Sequence, residues 1–304
     1  MPSPRKSKIN ASNRAEVGSS KSLQKAMRII LHLGDNGPDL SLAQISSELA
    51  LNRSTVHRLL AAMQKFHLIE QNALNEKYRL GLKFHELAAR TVHTRSLQYE
   101  ARPYLVELAR RSNESVSLAV PGAGGVICLD RIDSPNSILT VRTLIGERLP
   151  AHATAPAKAI LAWLPHTEAY AVTFRYPPRR YTPLTVLRLR DFKNVLDLTR
   201  RRGYATEHEE LEKGLSGLAA PILYKGGRVI AALGMAGPTL RFIGPDLEKK
   251  IVLIKDFAAR LSKTLSLGPA NFGTVMEPLA GSSLGERLKP SWKGPIARIK
   301  SGVF

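Results

Sequence analysis

Apolar and polar positions alternate most regularly between residues 40 and 65. In "SLAQISSELA", Leu42, Ile45 and Leu49 recur at the spacing of one helix face. Ser41 with Gln44 forms a capping box, and Leu40 with Ile45 a hydrophobic staple. The pattern breaks at Ala50-Leu51-Asn52, and Asn52 is a suitable cap for the next helix. "RSTVHRLLAAM" then turns Val56, Leu59, Leu60 and Met63 to one side. Two short helices joined by about three residues make a helix-turn-helix. Ser46 and Ala50 are the small residues that a close crossing and a tight turn require, although glycine is commoner at the position of Ala50. Upstream, "SLQKAMRIILHL" offers Leu23, Met27, Ile30 and Leu33 as a third face of the core. Downstream, "HLIEQ" and "KYRLG" are β-prone runs around the polar turn "NALNE". A winged helix over residues 20–81 is the expectation.

Residues 82–98 read as a linker helix with Phe84, Leu87, Ala88 and Thr91 on one side, and "RPYLVELARRSN" as the next helix. Strand-like runs "SVSLAV", "GVICLDRI" and "ILTVRT" follow, separated by "PGAGG" and "DSPN" turns. Helical "AHATAPAKAILAWL" and "DFKNVLDLTRRRG" flank a basic, proline-rich stretch. "LAAPILYKGGRVIAALGMAG" is a hairpin turning at Gly226-Gly227, and "DLEKKIVLIKDFAARLSKTL" is an amphipathic closing helix. Irregular mixing of strands and helices predicts an α+β domain over 99–267 with a mainly antiparallel sheet. Residues 1–19 read as a disordered basic start, and 268–304, rich in Gly and Pro, as a flexible basic tail.

Charge sharpens this picture. Lys and Arg number 45 against 25 Asp and Glu, a net +20, which favours a polyanionic partner, nucleic acid before an anionic membrane surface. The excess is spread along the chain, so the motifs must locate the contact. The second helix of the motif crowds Arg53, Ser54, Thr55, His57 and Arg58 opposite its apolar stripe, with no acid among them. Arginines there can pair with guanine edges or phosphate, and hydroxyls can donate to either. Ser41 and Gln44 on the preceding helix, and Tyr78 and Arg79 on the wing, complete the candidate DNA contacts.

Other chemistry is sparse. The lone Cys128 excludes an intrachain disulfide framework and a cysteine-rich zinc site. The N-terminus lacks a secretory h-region and no apolar run approaches the length of a membrane span, so a cytoplasmic protein without a membrane partner is expected. "GAGGV" is no dinucleotide fingerprint, "GLSGL" no nucleophile elbow, and His152, His166 and His208 have no metal-ligand spacing. Glu207, Glu209, Glu210 and Glu212 read as a solvated charge run on a loop. No catalytic residue, metal set or cofactor is therefore assigned.

The stretches "SLAQISSELALNRSTVHRLL", "KYRLGLKFHELA", "GERLPAHATAPAKAILAWLP", "RRRGYATEHEELEKGLSGLAAPI" and "GGRVIAALGMAGP" together make the chain resemble the isocitrate-lyase-regulator (IclR) family of bacterial transcription factors over residues 20–267. The resemblance implies a winged helix joined to a GAF-like effector-binding domain. It implies palindromic operator DNA bound by homodimers or homotetramers, modulated by a small molecule, often a carboxylate. It places the effector pocket at Ala155, Pro156, Ala157, Glu207, Gly217, Gly234 and Ala236. Typical members carry cysteine at the position of Gly217 and often serine at those of Gly234 and Ala236, and Ala157 replaces a frequent glycine. A pocket without those groups suits an aromatic or longer-chain acid, or is degenerate in a constitutive repressor. An enzyme with a docking winged helix is the remote alternative.

Overall fold

The computed structural model describes residues 20–37, 39–89, 92–122, 125–134, 144–174 and 178–268. The chain divides into two units between Arg90 and Thr91, inside the stretch expected to be a linker. The strand expected at "ILTVRT" and both terminal segments lie outside the described residues, apart from Gly268.

The first unit contains α1 (Lys21–Asp35), α2 (Leu42–Glu48), α3 (Arg53–Gln64), β1 (Ile69–Gln71), β2 (Tyr78–Leu80) and α4 (Lys83–Ala89). The capping box forms as the sequence predicts: Ser41 Oγ accepts from Gln44 N–H, and Gln44 Oε1 accepts from Ser41 N–H. Asn52 is the N-cap of α3, but its side chain makes no capping bond. Ile29, Leu33, Ile45, Leu49, Val56, Leu60, Met63, Ile69 and Tyr78 form the core. The expected face of α1 is rotated: Leu23 and Met27 are 60% and 44% exposed, while Ile29 and Leu33 are buried with Ala26 and Ile30 against them. Polar ties fix that rotation. Arg28 Nη2 donates to the Leu49 carbonyl at the end of α2 (2.9 Å), and buried His32 stands 2.9 Å from Glu48. Ala50 adopts φ of 51° at the turn, the left-handed region that glycine occupies without cost.

In the second unit, α5 (Val92–Ser112) precedes β3 (Ser115–Gly122), β4 (Gly125–Ile132) and β5 (Arg148–Leu149). Then come α6 (Ala155–Leu161), α7 (His166–Phe174), α8 (Leu189–Arg202), β6 (Ala205–His208), β7 (Leu215–Tyr224), β8 (Arg228–Pro238) and α9 (Gly244–Leu267). The helix expected over 82–98 is divided between α4 and α5, and its second part is continuous with the helix expected from Arg102, because α5 runs through Pro103. Pro103 and Tyr99, whose carbonyl loses its helical donor, are both exposed, so water can replace the missing bond.

The described strands form one antiparallel sheet in the order β5-β4-β3-β8-β7-β6. Residues of α5 and α9, among them Leu105, Leu108, Phe257 and Leu261, cover one face with Val116, Leu118, Leu218 and Leu233. Small residues of α6 pack on the other face against Ala119, Ala205, Ala219 and Ala232. The hairpin turns at Gly226 and Gly227, both at φ of 76°. Glu114, fully buried, accepts two bonds from Arg241 and lies 3.4 Å from Lys250, tying the start of β3 to α9.

Candidate functional site

The helix-turn-helix displays its chemistry on α3. Burial of Val56, Leu60 and Met63 leaves Arg53, Ser54, His57 and Arg58 exposed and Thr55 half-buried. Among the described residues, none of those four exposed side chains has a hydrogen-bond or ion-pair partner, and the first turn holds no acid. The start of a helix favours anions through its free N–H groups and dipole. Donors, positive charge and helix start thus coincide on one solvent-facing surface.

The other candidates are placed differently. The side-chain oxygens of Ser41 and Gln44 each accept from the other residue's backbone N–H. Tyr78 does not point outward as expected: it is 5% exposed and packs in the core, because strand alternation turns it and Leu80 inward and Arg79 outward. Arg79 faces solvent but pairs across the hairpin with Glu70 at 3.2 Å. Phosphate contact by Arg79 would exchange that partner.

In the second unit a cleft of about 560 Å³, mouth included, opens beside the start of α6. Of the effector candidates, Ala155, Pro156, Glu207, Gly217 and Ala236 line it. Sheet register explains why: Glu207, Gly217, Ala236 and Ser115 are consecutive partners in one row across β6, β7, β8 and β3. The next row runs Ala205, Ala219, Gly234, Ser117 and Arg131. Gly and Ala in the middle strands make a low floor between polar edges.

Two expected lining residues fall outside the cleft. Ala157 is fully buried in the packing of α6. Gly234 meets Pro156: a Cβ there would lie 2.6 Å from the proline Cγ and 2.7 Å from Ser117 Oγ, so glycine is required by close packing. The expectation of a pocket stripped of hydroxyls is corrected as well. Ser115, Ser117, Thr154 and Arg131 line it, beside apolar Leu149, Leu211 and Leu215. The alternation in "SVSLAV" carried a signal for the two serines; Arg131 needed the β3–β4 register.

The acids from Glu207 to Glu210 are not a solvated run. Glu207 sits on edge strand β6, 6% exposed, and its Oε1 accepts the backbone N–H of Glu210 (2.7 Å) and Leu211 (3.2 Å). Burial pushes its pKa up to about 7, against those two hydrogen bonds and the charge of Lys158. Lys158 is itself fully buried on α6 and pairs with Glu210 Oε1 at 2.5 Å, with a further bond to the Thr206 carbonyl. Thr182 and Thr185 hold the Glu210 carbonyl from the loop before α8. The wall of the cleft is therefore braced from α6 and from residues 182–185. Burial raises the Cys128 thiol to about 11, so it is no thiolate nucleophile at neutral pH.

Comparison with known proteins agrees with both halves. The IclR helix-turn-helix domain model matches residues 22–73, and the model for the bacterial transcriptional regulator IclR C-terminal region matches 89–263. The chain is 31% identical over 245 residues to the HTH-type transcriptional regulator XynR of Escherichia coli K12, covering 81% of this chain and 97% of that protein. It is also 31% identical over 252 residues to the glycerol operon regulatory protein of Streptomyces coelicolor, covering 82% and 97%. Among solved structures, an IclR homologue from Microbacterium hydrocarbonoxydans complexed with 4-hydroxybenzoate aligns at TM-score 0.71 and 25% identity, over 81% of this chain and all of that one. Thermotoga maritima IclR shares the fold at TM-score 0.62 and 24% identity, over 81% and 98%. With an operator-type helix-turn-helix in one unit, a braced cleft in the other and family matches across both, the chain belongs to the IclR family of bacterial transcriptional regulators.

Proposed function

We propose that this regulator binds a palindromic operator as a homodimer or homotetramer, reading bases through α3, and that an organic acid held in the cleft of the second unit alters that binding. The observation that carries the DNA half is the exposed surface of Arg53, Ser54, His57 and Arg58 at the start of α3, unpartnered among the described residues. One recognition helix covers only a few base pairs, so specificity calls for paired half-sites about one helical turn apart or a multiple of it. The lining of Leu149, Leu211 and Leu215 supports an aromatic or longer-chain acid, and the 4-hydroxybenzoate complex of the Microbacterium homologue is consistent with that class. Sequencing DNA that co-purifies with the protein, then footprinting it, tests the reading. Two symmetric protected half-sites are expected; a single short site bound by a monomer contradicts it.

A further inference from the structure

The cleft has two chemically opposite ends. Arg131 on β4 lines one edge, with only 11% of its side chain exposed, beside the hydroxyls of Ser115 and Ser117 on β3. Among its partners, Asp133 accepts from Arg131 Nη2 and is 62% exposed, so solvent screens that acid's charge. Glu207 lines the opposite edge, four strands away in the sheet order, or about 19 Å between backbones at ordinary strand spacing. The Glu207 carboxyl has committed only one oxygen: Oε1 takes both backbone N–H groups, while Oε2 lies over the floor, 3.6 Å from where a Cβ of Gly217 would stand. The other cation near that edge, Lys158, is engaged by Glu210. Between the two edges the middle strands contribute Gly217 and Ala236, which leave room for a flat ring.

We propose that Arg131 is the anion anchor of this cleft and that the ligand is a monocarboxylic acid with a hydrogen-bond donor at its far end. Its carboxylate lies toward Arg131, Ser115 and Ser117, and its donor toward Glu207 Oε2. This deepens the effector reading above and rests on it. Arginine matches a planar carboxylate with two parallel N–H bonds, and charge-assisted bonds of this kind exceed neutral ones in strength. Where Glu207 is ionised, above its pKa of about 7, a second carboxylate would meet like charge at the other end, and desolvation opposes it as well. The pocket therefore imposes a direction on its ligand and disfavours dicarboxylates.

The test uses the full chain and three para-substituted benzene probes: 4-hydroxybenzoate, its isosteric primary amide 4-hydroxybenzamide, and benzene-1,4-dicarboxylate. Calorimetric titration and thermal shift are read on the same samples at pH 8 or above, where Glu207 carries its charge. The acid should bind about tenfold or more tightly than either analogue. Arg131→Met should erase the preference for acid over amide, and Arg131→Lys should keep part of it. Glu207→Gln should raise affinity for the dicarboxylate while leaving the preference for acid over amide intact. Equal binding of acid and amide by the wild-type chain overturns the anchor while leaving the effector cleft standing. So does undiminished acid preference in Arg131→Met. Because the wild-type comparison decides the matter alone, a variant that fails to fold does not rescue the proposal. Absence of binding by all three probes overturns the aromatic-acid effector reading together with the anchor.

Discussion

In the N-terminal unit Arg53, Ser54, His57 and Arg58 of α3 face solvent, without partners among the described residues, above a core of Val56, Leu60 and Met63 that does not depend on them. In the C-terminal unit several polar residues in and behind the cleft wall are already bonded: Glu207 to two backbone amides, Thr154 to the Pro150 carbonyl, Glu210 to Lys158. The first surface can change its chemistry without disturbing its fold. The second has binding and stability built into the same atoms. Substitutions should consequently separate function from stability on α3 and fail to separate them around the cleft.

The largest effect belongs to Lys158. Lys158→Met strands the Glu210 carboxylate in a largely buried site, and breaking a buried pair in this way costs about 3–5 kcal/mol. Chemical denaturation should register that loss, and Glu210→Leu added to Lys158→Met should recover much of it. A single variant as stable as wild type would break the contrast between the units.

Glu207 gives the next effect, with a sign fixed by its raised pKa. Below about pH 4.5 folded and unfolded chains both hold the proton. Between about 4.5 and 7 the folded chain retains it while the unfolded chain releases it, so stability falls as pH rises through that window and stays low above it. The difference amounts to roughly 3 kcal/mol. Glu207→Gln should thus match wild type at pH 4 and exceed it increasingly up to pH 8, as followed by melting temperature. A gap that narrows with rising pH would contradict the burial of this acid.

Gly234→Ser, which looks from sequence like a way to add a ligand-binding hydroxyl, should instead destabilise by about 1–3 kcal/mol. Pro156 cannot rotate out of the way of a new Cβ. Ala50→Gly gives the smallest effect and the opposite sign: relief of the left-handed φ should stabilise the helix-turn-helix by about 1 kcal/mol, seen as a small rise in the denaturation midpoint.

The same contrast governs how much could be read from the chain. The helix-turn-helix is local, so the capping box, the crossing residues and the stripe of α3 all follow from spacing within about 25 residues. Errors there came from equivalent alternatives: α1 carries two apolar stripes, and Arg28 and His32 select the one containing Ile29. The inward face of Tyr78 is not legible, because a hairpin of three-residue strands offers too little alternation to fix its faces. The cleft is non-local. Arg131, Ser117 and Gly234 are neighbours only through the register of β4, β3 and β8, which periodicity does not encode. Edge strand β6 is not legible because "ATEH" is polar and short, and Glu207 resembles part of a solvated loop until β7 pairs with it.

The account turns on α3 reading DNA, and the most direct measurement is an anisotropy titration of recovered operator with wild type, Arg53→Ala and Arg58→Ala at fixed salt. Each arginine that makes a bidentate base contact should cost about 1–3 kcal/mol in operator affinity. Melting temperatures should stay unchanged, because both side chains are exposed and unpartnered among the described residues. Wild-type affinity in both folded variants would contradict the assignment of α3 as the recognition helix.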